Sequence, residues 1–279
     1  MINCFLSDDI GAPTVNGQAG SLIGLLDACL VNGYNLQSVV SATCSAGVVT
    51  LTLNSGHGLQ QGKVIRVSGA DQADYNGDFK VTASSNTTVQ YAITGSPVSP
   101  ATGTITAKVA PLGWSKPFAD TNKAAYQPAA GTQKYIRVDD TSTIYGIAYG
   151  LETMSGLDTF TPATGYVSGY IRKSNVADTT ARKWAVIGDA KRVFVVICPF
   201  NPNPITGAIT FFGDVVRSRI DDAWHFLFSA CSTNNTNYIS SVMSSTPTKA
   251  QQTIGQLAFC GAYRNLAALC KPLPPAALH

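Results

Sequence analysis

Acid–base, nucleophilic and metal chemistry falls first to histidines, cysteines and paired carboxylates. This 279-residue sequence holds three histidines, seven cysteines and 16 acidic residues. A Ser-His-Asp or Cys-His arrangement would have to use His57 or His225, since the remaining imidazole is His279, and neither sits beside a marked nucleophile. No G-x-S-x-G elbow, H-E-x-x-H pair or G-x-x-x-x-G-K-[ST] loop appears. Glu152 and Asp158 in "LETMSGLD" are a conceivable carboxylate pair for glycoside hydrolysis, which needs two carboxyls flanking a sugar bond. Their spacing alone does not distinguish that role from surface solvation. Asp139, Asp140, Asp189, Asp221 and Asp222 lack the alternating D-x-D-x-D-G pattern of a calcium loop, so they read as turn formers bonding amides two residues on. Gly188-Asp189 and Gly213-Asp214 each adjoin an apolar strand and read as strand-edge turns.

The cysteines (Cys4, Cys29, Cys44, Cys198, Cys231, Cys260, Cys270) are odd in number, irregular in spacing and form no C-x-x-C. Zinc and redox motifs are therefore unsupported. Neighbours such as those in "LLDACLV" and "LAFCGAY" suit buried, reduced thiols acting as small hydrophobes. His57, isolated in "NSGHGLQQGK", reads as a turn residue bonded to backbone. No cofactor, metal or catalytic set is expected, and the chain reads as a non-enzyme.

Charged residues make up only 13% of the chain against 45% hydrophobic, about half the usual charged share of roughly 25%. A membrane span would explain such a deficit, but the richest runs, "RVFVVICPF" and "SLIGLLDACLV", fall well short of the ~20 apolar residues a span needs. The alternative is surface that is hidden against partners, because interface cores are depleted in Lys, Glu and Asp. The 19 basic residues are dispersed and the net charge is +3, so no nucleic-acid footprint exists. "MINCFLSDDI" offers neither a basic n-region nor an apolar h-region, and synthesis and assembly in the cytoplasm are expected.

The elements that must position these residues divide into three stretches. Residues 1–36 carry one amphipathic helix, "GSLIGLLDACLVNGY", with Ser21 as N-cap, Leu22, Leu25, Leu26, Cys29 and Leu30 at helical spacing, and Gly33 closing it in the left-handed conformation. This stretch is expected to pack with the C-terminal domain, or to present its leucines to a neighbouring subunit. Residues 37–109 switch to a period of two from Val39 in "GVVTLTLN", "GKVIRVSG", "DFKVTASS", "TTVQYAIT" and "TGTITAKV", five short strands of an all-β module. Asn76-Gly77 predicts a type I′ hairpin turn within it.

Residues 110–279 read as a β-rich domain with short helices and extended loops. It opens on "APLGWSKPFADTNKAAYQPAAGTQ", an ordered linking loop that Trp114, Pro117 and Phe118 pin by aromatic burial. Strands follow at "KYIRVDD", "TIYGIAYG", "GYVSGYIRK", "KWAVIGD", "RVFVVICPF" and "AITFFGDVV", and "VFVVI" is continuous enough to be buried on both faces. Pro202 and Pro204 mark a tight loop, "RIDDAWHFLFSA" a short helix or turn, "STNNTNYISSVMSSTPTKAQQ" an extended loop, and "KPLPPAALH" a peripheral end. The fold class is thus mainly β, a small β-barrel or sandwich module inserted between an N-terminal helix and a larger C-terminal β-rich domain.

The succession "GSLIGLLDACLVNGY", "HGLQQGKVIRVSGADQADYNGDFKVTA", "GWSKPFADTNKAAYQ", "RVDDT" and "FFGDVV" resembles structural virion proteins of tailed bacteriophages and prophages, in order over most of the chain. The module at 37–109 also looks like small barrel inserts of phage tail proteins. The resemblance implies a virion protein, assembled in the host bacterial cytoplasm, that acts as a tail or baseplate component through contacts with copies of itself and other virion proteins. Leu22, Leu25, Leu26, Leu30, Trp114 and Phe118 form the candidate interface set. Two alternatives stand beside it. One is a capsid decoration or cement protein. The other is a host-surface carbohydrate-binding protein stacking sugar rings on Trp114, Tyr126, Tyr145, Tyr149, Tyr166 and Tyr170.

Overall fold

Inward apolar and outward polar residues alternate through the stretch after Gly33, and the sheet they form closes on itself. The computed structural model describes residues 1–162, 168–200, 208–215 and 226–230. Strand β1 spans Asn3–Leu6, and helix α1, Ser21–Leu26, runs directly into a π-helical turn at Asp27–Asn32. Strands β2 (Tyr34–Ser45), β3 (Val48–Leu53), β4 (Val64–Ala70), β5 (Gly77–Ser84), β6 (Thr88–Ala92) and β7 (Gly103–Val109) then form a closed barrel in the order β2-β3-β6-β5-β4-β7. Val49, Leu51, Val67, Val89, Tyr91 and Ala107 fill its interior. Tyr91 stacks on Phe79 at 4.2 Å between ring centroids, and its hydroxyl donates to the Tyr75 carbonyl at 3.1 Å.

Closure depends on a sixth strand that begins earlier than Val39. β2 pairs with β7 through its first half and with β3 through its second, with register shifts between Tyr34 and Gln37 and between Val39 and Ser41 that bend it across the join. Gly33 starts it: its φ of 71° turns the chain out of the π-helical turn, and a Cβ there would lie 2.3 Å from the Val109 carbonyl oxygen. The ψ of 178° places Gly33 outside the left-handed helical cap expected of it. The β4–β5 hairpin sits where Asn76-Gly77 predicts one, but not as a two-residue type I′ turn. A 3-10 turn at Ala73–Tyr75 precedes an extended Asn76, whose side chain bonds both backbone groups of Ala70 at 3.0 and 2.7 Å.

The stretch expected as a linking loop is a hairpin instead: β8 (Ser115–Asp120) and β9 (Lys123–Gln127) join through Thr121-Asn122, with Asn122 at φ 57°. β8 is an edge strand, which is where Pro117 is tolerated, since an edge position needs no donor on its outer side. β10 (Tyr135–Asp139), β11 (Tyr145–Gly156), β12 (Thr159–Pro162) and β13 (Ser168–Arg172) complete a six-stranded sheet of order β12-β11-β10-β9-β8, with β13 and β12 pairing successive parts of β11 on its side away from β10. β14 (Lys183–Gly188), β15 (Arg192–Cys198), β16 (Ala208–Asp214) and β17 (Phe226–Ser229) form a second, five-stranded sheet whose far edge is β1, in the order β1-β14-β15-β16-β17.

Residues before and after the barrel pack together. β1 pairs with β14, and α1 lies on β11, where Gly146 leaves room: a Cβ at that position would sit 2.6 Å from a Leu22 methyl. One hydrophobic cluster runs through barrel, helix and both sheets. Phe226–Ser229 is a strand rather than the expected short helix or turn, and its Phe228 side chain is buried. β15 is also unlike its expectation. Val193, Val195 and Ile197 are buried, whereas Phe194 is exposed, so among the described residues only one face of "VFVVI" is closed. No helix among the described residues is long and apolar enough to cross a membrane. Pro202, Pro204, Tyr166, Asp221, Asp222, His225 and residues 231–279, with Cys231, Cys260, Cys270 and His279, lie outside the described residues.

Candidate functional site

Five of the six candidate interface side chains are committed within the chain. Leu22, Leu25, Leu26 and Leu30 are at most 3% exposed and face the core, as does Trp114. The Trp114 indole donates to the Asp189 carbonyl at 2.8 Å and its ring lies 5.9 Å from Phe212. This matches burial that pins the segment in place, but leaves no free area on these five residues for another subunit. Phe118, half-buried on edge strand β8, is the one with surface to offer.

Beneath the helix lies a node that the sequence reading did not isolate. Asp140 directly follows β10 and is fully buried. One carboxylate oxygen accepts the Leu22 and Ile23 amides at 2.8 and 3.3 Å, and the other accepts the Lys173 ammonium, which also donates to the Gln18 carbonyl at 2.6 Å. Asp140 therefore caps α1, in place of Ser21, whose hydroxyl donates instead to the Asn16 carbonyl at 2.9 Å. Burial raises the Asp140 pKa against the pull of Lys173, and burial lowers that of Lys173 against the pull of Asp140. Each partner thus makes the other's charge tolerable. The node joins three elements rather than facing solvent, so its chemistry is structural.

The remaining candidates resolve in the same direction. Glu152 pairs with Lys134, and Asp158 with Arg137 at 2.5 Å, so the two carboxylates are held by separate cations. Asp139 and Asp189 bond amides two residues on, as turn formers do. Burial of Asp139 works against its ionised form, yet bonds from Thr141 and nearby cations hold the carboxyl below its usual range. Asp214 departs from the strand-edge reading: it is buried at the end of β16 and accepts the Thr132 amide and hydroxyl at 3.0 and 2.6 Å. His57 is buried, accepts the Leu59 amide on Nδ1 at 3.0 Å and therefore donates from Nε2 to the Ser85 carbonyl at 3.0 Å. It lines a shallow cavity with Ile10, Leu59 and Ser84, but both ring nitrogens are engaged. Among the described residues no group of three or more potential metal ligands occurs.

Two exposed surfaces bear on the sequence candidates. On the six-stranded sheet, Tyr145, Tyr149 and Tyr170 are half-exposed on one face. Tyr145 meets Tyr170 edge-on at 5.1 Å, while the Arg137 guanidinium lies 5.5 Å from the Tyr149 ring and 5.9 Å from that of Phe160. Trp114 and Tyr126, from the same aromatic set, are buried elsewhere, and Tyr126 donates to Asp27 at 2.9 Å. On the barrel, Leu36 and Val40 project from the outer side of β2 with 65% and 68% of their surface exposed. The register shift between Tyr34 and Gln37 turns that pair outward although buried Tyr34 shares its parity, so a strict period of two does not reveal it. Comparison with protein-family models, curated proteins and solved structures gave no match.

Proposed function

We propose that this chain is a structural component of a tailed-phage virion, a tail or baseplate protein that acts through subunit contacts and carries its barrel as an inserted module. The observation that carries the reading is the apolar pair Leu36 and Val40, both exposed on the outer face of barrel strand β2. An isolated exposed aliphatic is ordinary, but two on one strand face, in a chain with half the usual charge, suit a surface that a neighbour covers. The resemblance to virion proteins points the same way. So does the character of the buried polar groups, which are occupied with joining elements of the fold. Mass spectrometry of purified particles tests this directly. The chain should be present at about a dozen copies or fewer; hundreds of copies would move it to the head as a decoration protein, and absence from mature particles would end the reading.

A second reading rests on the half-exposed Tyr145, Tyr149 and Tyr170. Aromatic faces of this kind stack on sugar rings, and a host-surface glycan would be the ligand. Under that reading Tyr149→Ala with Tyr170→Ala abolishes host adsorption while assembly stays intact. Unchanged adsorption removes it.

A further inference from the structure

The five-stranded sheet is apolar on both faces. Its inner face carries Phe5, Trp184, Val186, Val195 and Phe212 into the core. Its outer face is made by the alternate residues in two adjoining rows, Leu6-Ala185-Val196-Ile209 and Cys4-Ile187-Phe194-Phe211. Charges enter only at the strand ends, with Lys183 at one and Arg192 at the other. An antiparallel sheet with one solvated face normally alternates apolar and polar residues. Here the outward positions have the composition of a second core.

Exposure along this face changes with distance from β17. Ser229 and Phe211 are 5% and 7% exposed, whereas Phe194, Ile187 and Leu6 are 37%, 41% and 42% exposed. The closed end is the one at which the chain leaves the sheet, at Ala230. Residues 231–279 follow. Within them Thr253–Cys270 contains Ile254, Leu257, Phe259, Leu266 and Leu269 and a single charge, Arg264.

We propose that the segment Thr253–Cys270 docks on the outer face of its own five-stranded sheet and completes a second hydrophobic layer. Two magnitudes favour this occupant over a second copy. Five strands at ~4.8 Å spacing give a face about 20 Å wide and of similar height, so roughly 400 Å² is available. A stable interface between separate chains needs about 800 Å² from each partner. A tethered segment avoids most of that association cost, because its local concentration is on the order of millimolar. The tether also reaches: about twenty residues separate Ala230 from Thr253, and a flexible chain of that length spans ~25 Å, enough to cross all five strands to β1. This contact is intramolecular, so it stands independently of the virion reading.

The native thiols provide the test. Cys4 and Cys198 lie on the outer face, and Cys260 and Cys270 lie on the segment. The full chain, treated with a short bismaleimide and mapped by peptide mass spectrometry, should give links from Cys4 or Cys198 to Cys260 or Cys270 in the monomer band. The full chain carrying Leu257→Asp, Leu266→Asp and Leu269→Asp should lose at least fivefold of those links while circular dichroism shows the β-sheet intact. Links found only in a dimer band would assign the face to a second copy. That result, the absence of links from both bands, or a link yield unchanged by the three substitutions would overturn the proposal.

Discussion

The barrel and the five-stranded sheet use the same alternating strands and differ in what their outward residues do. The barrel has no free edge, and its outer wall carries Thr50, Thr52, Arg66, Lys80 and Gln90 between buried neighbours. The sheet has two edges and presents Leu6, Ile187, Phe194 and Val196 outward. Closure makes a strand set self-sufficient, since every backbone group finds a partner and one apolar face fills the interior. An open sheet with apolar residues on both faces is half of a larger arrangement. Outside Leu36 and Val40 on β2 and Val48 on β3, the barrel meets its own packing, whereas the sheet leaves most of one apolar face open.

The largest effect expected from breaking this arrangement lies where the sheets, helix and loops meet. Lys173→Met leaves Asp140 buried without its cation and should cost about 3–5 kcal/mol in urea unfolding. Adding Asp140→Asn should recover part of that, and a cost below ~1 kcal/mol for the single variant would mean that water reaches the node. Within the barrel, Leu51→Ala removes a fully buried side chain and should cost about 3 kcal/mol by the same measurement. The two outer walls sharpen the comparison. Phe194→Thr should cost about 1.5 kcal/mol if the sheet face is covered, whereas Lys80→Ala on the barrel should stay within ~0.5 kcal/mol. Equal effects would erase the distinction between the units.

Alkaline titration gives a further, smaller contrast. Burial holds the Tyr34, Tyr91 and Tyr126 phenols well above their ordinary range, with Asp9 adding to the effect at Tyr34 and Asp27 at Tyr126. Unfolded tyrosines ionise near pH ~10, so above that the unfolded chain gives up protons that the folded chain keeps. Stability is therefore present in full below about pH 10 and falls above it, by up to ~1.4 kcal/mol per pH unit for each such phenol. Phenolate absorbance should show these groups ionising together with unfolding rather than before it.

The barrel was largely legible in the sequence because a period of two, bounded by Gly, Asn and Ser, reports a strand with one wet and one dry side. Its first strand was not: Tyr34–Gln37 is bent by register shifts that break the alternation. The β8–β9 hairpin was hidden for a different reason. Pro117 and the small residues Ala124 and Ala125 look like loop composition, although at an edge strand and against a close neighbour they are compatible with pairing. Asp140 and Lys173 are 33 residues apart, and nothing local marks either as the other's partner. The helix was visible in its leucines, but whether such a stripe meets its own sheet or another chain is decided by Gly146, a residue with no apolar signal of its own. The doubly apolar reading of "VFVVI" was informative in its disagreement, because it marked the face that the described residues leave open.

Two thiols allow the contrast between the units to be measured in one experiment. Cys4 is exposed on the sheet's outer face, whereas Cys44 is partly buried in the barrel. In the full chain under native conditions, maleimide labelling of Cys4 should be as slow as that of Cys44 or slower, because the sheet face is covered. Labelling of Cys4 markedly faster than Cys44 would contradict the cover and leave the sheet's outer face as bare as the barrel wall.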